Sequence, residues 1–254
     1  MVVPSERSRS LYTVIGRNGS TLACGLFVVS VLLGAALDRS LLLAVWLLSF
    51  WHYYLYWLAV AFGTPSFDVF KRDAVAMKTV SVAALASVYL AAPLDFGSLA
   101  VIAAGIALNV RAASVLGLDR TYFGHEVAGL PPQRVTEFPY SLVAHPMILG
   151  NVAAFGGTLL NPEFAQAWGP LAGLHVALNI GLLVMELAGT QRLRSVRIGG
   201  GLVFASVLLG ITFAVLPITL VGVMLTAVAV GCAWILYRCY APEIVAPETA
   251  RRES

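Results

Sequence analysis

Charge is scarce in this sequence. Only 11% of the 254 residues are Asp, Glu, Lys or Arg, against roughly 25% in soluble proteins, while 59% are hydrophobic. A water-soluble domain with that balance would expose apolar patches large enough to aggregate, so lipid is the solvent that accepts this surface. Cysteine is scarce as well. Cys24, Cys232 and Cys239 fall in or beside apolar runs, with no CxxC or Cys/His spacing. That pattern supports no disulfide framework and no zinc site, and no metal is expected. No fixed-period repeat and no long low-complexity stretch is visible. The net charge of +3 says little until the charges are placed along the chain, and no nucleic-acid partner is expected.

Long hydrophobic runs are what the sequence does have. A membrane-crossing helix needs about 20 apolar residues. That ruler predicts an all-α, polytopic transmembrane helical bundle of about eight spans, at residues 20–37, 41–62, 75–92, 98–116, 141–160, 167–188, 199–216 and 217–237. The first run follows Arg7, Arg9 and Arg17 and shows no clear small-x-small cleavage site, so it reads as a retained helix. With the N-terminus inside, Arg39 is the only one of the 16 Lys and Arg residues left outside. Lys78 and Arg111 then lie within a turn or two of inner helix ends. This asymmetry puts both the N- and C-termini in the cytoplasm. The fifth span contains Pro146 and several glycines and is expected to be irregular, and the last two meet at Pro217. The polar tail, 241–254, is expected to be disordered.

Polar and punctuating residues gather in two segments that face the cytoplasm in this arrangement. The first is NVRAASVLGLDRTYFGHEVAGLPPQRVTEFPYSLVAHPMILG, from Asn109 to Gly150. The second is HVALNIGLLVMELAGTQRLRSVR, from His175 to Arg197. His175, Asn179 and Glu186 are spaced by four and seven, which places them along one helical face. Ionisable residues in membrane helices are costly and are functional candidates by default. The plainer readings are an interfacial pairing of Glu186 with Arg192 or Arg194, and a hydrogen-bonded helix contact for His175. His145-Pro146 at a helix start makes a rigid turn that aims an imidazole at the interface. Gly150, Ala154 and Gly157 let another backbone or a flat ligand come close. His52, within FWHYYLYW, is a candidate for lining a substrate path. Lys71 and Arg72 are either phosphate-attracting or part of a solvated interfacial turn.

At these residues the chain resembles a known family. LGLDRTYFG, RVTEFPYSLVAHPMILGNVAAFGGTLL and LLVMELAGTQ resemble the phosphatidylethanolamine/phospholipid N-methyltransferases, over roughly residues 50–194. Their His-Pro element is shared with isoprenylcysteine carboxyl methyltransferases and related thiol methyltransferases. The resemblance implies S-adenosyl-L-methionine as cofactor and a membrane phospholipid as substrate. It implies a glycine-rich cofactor motif at Gly117 and Gly124 with Tyr122 between them. It also implies a His-Pro motif at His145, Pro146, Met147 and Gly150, and an acidic pair falling on Met185 and Glu186. Arg120 stands where the family has a glycine, and Met185 where it has the first acid of the pair. Tyr140 and Tyr122 offer aromatic faces to a sulfonium.

The expected organisation follows. Residues 1–48 hold an extra first helix, 49–197 a methyltransferase-like core, 198–240 a helical hairpin and 241–254 the tail. Glu186 and His145 are the candidate catalytic residues, and His52, Lys71 and Arg72 the candidate substrate contacts. The expected reaction is methylation of a phospholipid amine towards phosphatidylcholine. It would run on the cytoplasmic face of the endoplasmic reticulum in a eukaryote or of the inner membrane in a bacterium. A thiol or prenylcysteine carboxylate is the alternative acceptor. A transporter or structural membrane protein is the alternative from another class; it would show paired halves and broken midplane helices.

Overall fold

A computed structural model of the chain describes residues 6–39, 41–64, 66–187 and 219–240. Among these residues all regular structure is helical: α1 (Glu6–Asp38), α2 (Leu41–Ser49), α3 (Trp51–Phe62), α4 (Phe67–Tyr89), α5 (Phe96–Leu116), the single turns α6 (Leu118–Thr121) and α7 (Gly124–Ala128), α8 (Pro146–Thr158), α9 (Pro162–Leu187) and α10 (Leu220–Tyr240). Among the described residues, five stretches are long and apolar enough to cross a membrane: Asn18–Asp38, Leu41–Phe62, Phe96–Leu116, Pro162–Val184 and Leu220–Tyr240. They coincide with the first, second, fourth, sixth and eighth predicted spans.

The other predicted spans fare differently. The fifth resolves into an irregular stretch followed by α8, whose 13 residues cover about 20 Å at 1.5 Å per residue. That is well short of the roughly 30 Å hydrocarbon core. The third corresponds to α4, which starts earlier than expected and carries Asp68, Lys71, Arg72, Asp73 and Lys78 in its first half. Its uninterrupted apolar part is therefore short. The seventh, 199–216, and the tail lie outside the described residues.

The chain divides into two compact units, 1–81 with 195–254, and 82–194. In the first, α1 and α10 pack antiparallel: a Cβ on Gly34 would meet Leu225, and one on Gly19 would meet Cys239. Phe27 of α1 stacks on Trp51 with ring centroids 3.8 Å apart. The break between α2 and α3 falls at Phe50 within an otherwise continuous apolar run. Such breaks survive in lipid only where a neighbour satisfies the freed backbone groups. Here the Ser81 hydroxyl donates to the Ser49 carbonyl at 2.6 Å.

In the second unit, α5 and α8 run antiparallel with their backbones touching. A Cβ on Gly105 would lie 2.6 Å from the Gly150 carbonyl oxygen, and one on Gly157 would lie 3.0 Å from the Ile102 nitrogen. α9 packs antiparallel on the other side of α8. Asp95 caps α5 by accepting from the Ser98 amide at 2.6 Å, and Gly117 ends the helix with φ +85°. Pro146 occupies the first turn of α8, where its missing N–H costs nothing. One end of the unit is tied by Ser98, whose hydroxyl reaches the Gly157 carbonyl at 2.7 Å and the Tyr89 hydroxyl at 2.7 Å.

Candidate active site

The opposite end of the second unit holds most of the residues singled out in the sequence. α5 stops at Gly117, whose backbone (φ +85°, ψ +151°) lies in a region that only glycine adopts without strain. Nothing lies within 4 Å of a Cβ placed there. The single turn α6 follows, with the Thr121 hydroxyl bonded to the Gly117 carbonyl at 2.9 Å. Tyr122 is buried. Gly124 opens α7, where a Cβ would meet the Asp119 carbonyl oxygen at 2.6 Å. Gly117 thus leaves an open flank, whereas Gly124 is required for packing against α6.

The chain then runs through 129–145, passing Tyr140, which is half-buried, to His145 and Pro146. His145 is half-buried and precedes the first turn of α8 with φ −127° and ψ +63°. Gly150 faces the α5 backbone: a Cβ there would lie 2.7 Å from the Gly105 oxygen and 2.9 Å from the Asn109 nitrogen. The close approach of another backbone that the sequence allows for is thus seen at Gly150.

A chain of amides fixes the register of α5, α8 and α9. The Asn109 side-chain amide donates to the Met147 carbonyl at 3.0 Å and to Asn151 Oδ1 at 2.9 Å. Asn151 donates to Asn179 Oδ1 at 3.0 Å, and Asn179 donates to the His175 carbonyl at 2.9 Å. His175 is fully buried and stacks on Phe155 with ring centroids 4.4 Å apart. His175 is therefore a buried helix contact. Counting from this ladder at 1.5 Å per residue, Gly117 lies about 12 Å along α5, His145 about 9 Å along α8 and Glu186 about 10 Å along α9, all in the same direction. The register thus brings the Gly117 turn, the His-Pro turn and the last turn of α9 to one end of the unit. The structure describes the backbone of Met185 and Glu186, not their side chains. Sequence reasoning does not single out Asn151. An amide inside an apolar membrane run was the available signal.

The remaining candidates belong to the first unit. His52 is buried among aromatic rings, edge-on to Tyr56 at 5.5 Å. Lys71 lies 3.5 Å from Asp68 and over the Phe67 ring. Arg72 pairs with Asp73 at 3.3 Å and donates to the Thr21 hydroxyl. The Lys71 contacts are local, whereas Arg72 also reaches α1. Among the described residues no cluster of three or more His, Cys, Asp or Glu could hold a metal ion.

The family model for phospholipid methyltransferase matches residues 95–193. The matched segment belongs to the phospholipid methyltransferase family. No curated protein and no solved structure matches the chain. The phospholipid methyltransferase segment begins at the cap of α5, lies within the second unit, and contains every candidate from Gly117 to Glu186. It is narrower than the resemblance read from the sequence: the helices before residue 95, with His52, Lys71 and Arg72, fall outside it. Together with the five candidate membrane-crossing stretches among the described residues, this match points to an integral membrane methyltransferase.

Proposed function

We propose that the chain transfers methyl groups from S-adenosylmethionine to the amine of a phospholipid head group, phosphatidylethanolamine or its mono- and dimethyl forms, at the cytoplasmic face of the membrane. One observation carries this reading. The methyltransferase match falls within one compact unit, and a single end of that unit collects the Gly117 turn, Tyr122, the His145-Pro146 turn and the last turn of α9.

Bound S-adenosylmethionine supplies an electrophilic methyl group on a sulfonium. The residues present suit such a group. Gly117 offers an unobstructed backbone flank, Tyr122 and Tyr140 offer aromatic surface for a cation, and Glu186 offers a carboxylate for the cofactor's amino group. Gly124 and Gly150 support the site through packing.

The acceptor sets the remaining demands. An ammonium has no lone pair to attack with, so the lipid amine must lose a proton. Burial at a low-dielectric interface favours the neutral amine. A carboxylate alone would favour the ammonium, so His145 is the better proton acceptor, through an imidazole nitrogen, with Glu186 second. Holding the amine in line with the methyl group supplies much of the remaining acceleration, and the amide ladder keeps α8 and α9 in the register that this requires.

Incubating the purified chain with methyl-labelled cofactor and phosphatidylethanolamine vesicles tests the reading. Label should appear in methylated lipid, His145→Ala should lower kcat about 100-fold or more with the protein still folded, and Glu186→Gln should abolish cofactor binding. Transfer of label to a prenylcysteine or small thiol, with none to lipid, overturns the assigned acceptor.

A further inference from the structure

Arg120 lies in α6, one turn after Gly117. Its Nε is buried and has no hydrogen-bond partner among the described residues. One terminal nitrogen reaches only the Pro131 carbonyl, at a long 3.4 Å, and no ion pair among the described residues involves this side chain. The other basic side chains described in the second unit differ. Arg111 lies 3.8 Å from Glu137 and is half exposed, and Arg134 is exposed to solvent.

Buried donors in native proteins are almost always paired; here the Nε is buried in a side chain that is half-buried overall. The surroundings of Arg120 indicate where a partner would come from. Residues three apart lie on the same side of a helical turn, and three positions before Arg120 is Gly117, beside which a Cβ would meet no atom within 4 Å. Gly117, at the start of the same turn, therefore leaves room beside its backbone. A guanidinium's planar fork of donors matches the paired oxygens of a carboxylate or phosphate.

We propose that Arg120 is an oxyanion-binding residue whose guanidinium takes the carboxylate or phosphate of a molecule seated beside Gly117. The choice of molecule rests on the methyl-transfer reading, in which two reactants carry such a group. These are the amino-acid end of the methyl donor, with its carboxylate, and the lipid, with its phosphodiester.

The experiment has two binding arms on the full chain in detergent, comparing wild type with Arg120→Gln and Arg120→Lys. The first titrates S-adenosylhomocysteine, which has the carboxylate, and 5′-deoxy-5′-methylthioadenosine, which lacks the amino-acid end. The second titrates short-chain phosphatidylethanolamine and the matching phosphate-free diacylglycerol. If the cofactor carboxylate is the ligand, Arg120→Gln raises the Kd for S-adenosylhomocysteine tenfold or more and leaves methylthioadenosine unchanged. If the lipid phosphate is the ligand, the same variant weakens phosphatidylethanolamine tenfold or more and spares diacylglycerol. Arg120→Lys, with a point charge and no fork, should fall between wild type and Arg120→Gln, and it carries the test if Arg120→Gln does not fold. Equal losses for both members of a pair, or no change beyond twofold in either arm, overturn the proposal. A wild type that binds neither adenosyl compound ends the methyl-transfer reading instead, and the lipid arm then decides the role of Arg120 by itself.

Discussion

Glycines of the second unit meet different physical demands, and substitution separates them. Gly150 sits against the α5 backbone, which cannot swing aside as a side chain can. Gly150→Ala should cost about 1–3 kcal/mol through overpacking. Gly117 has room for a methyl group but not the backbone freedom, so Gly117→Ala should cost a similar 1–3 kcal/mol through strain alone. Gly25 of α1 has nothing within 4 Å of its Cβ position, and Gly25→Ala should leave stability unchanged or raise it by up to about 1 kcal/mol. Thermal unfolding of the three variants in detergent checks all three. A Gly150→Ala variant as stable as Gly25→Ala would show that the α5–α8 contact is looser than described. At this scale the sequence was partly legible. The spacing of Gly150, Ala154 and Gly157 announces a close approach, but not whether a helix or a ligand makes it. The positive φ of Gly117 leaves no mark on composition or periodicity.

At the scale of helices, the amide ladder joins three elements whose apolar surfaces gain little from meeting in lipid, because lipid tails are as apolar as leucine. Interhelical hydrogen bonds in membranes are worth about 0.6–2 kcal/mol each. Asn151 makes one with Asn109 and one with Asn179. Asn151→Leu should therefore destabilise the fold by about 1–3 kcal/mol and loosen α8 against both neighbours. Asn151→Ala and Asn179→Ala together should cost less than the sum of the single changes, since each removes the same bond. Additive losses in a thermal-unfolding cycle would mean that the ladder does not couple α8 to α9. The long helices were legible because a continuous apolar run is an unambiguous signal for crossing lipid. α8 was legible in part: Pro146 and the glycines mark the fifth span as irregular and His145-Pro146 marks a helix start, but a twenty-residue window averages a non-helical stretch with a short apolar helix. Pro139, Pro146 and the left-handed backbone of Phe123 mark a region where the chain turns repeatedly, and hydropathy does not register turning.

For the molecule as a whole, the distribution of charge makes a stronger claim than any single residue. In the first unit, Thr21 at the start of the α1 span bonds to Asp73 near the start of α4 at 2.9 Å. Ser20 lies 3.5 Å from Tyr240 at the end of α10. The start of the α1 span, the start of α4 and the end of α10, each flanked by basic residues, therefore meet, while Arg39 lies about 27 Å further along α1 at 1.5 Å per residue. That separation is close to the thickness of a bilayer's hydrocarbon core. If the basic ends lie in the cytoplasm, a membrane-impermeant thiol reagent applied from outside should label Arg39→Cys in intact cells and spare Asp68→Cys and Arg134→Cys until the membrane is permeabilised. Cys24 and Cys232 are buried, so a Cys239→Ser background is sufficient. The Arg134 result bears most directly on function. This residue lies in the loop that leads to His145, and a methyl donor made in the cytoplasm must reach it from that side. Labelling of Arg134→Cys from outside, with Asp68→Cys protected, would put the His-Pro turn on the face that the donor cannot reach, and the proposed chemistry would then have no methyl source.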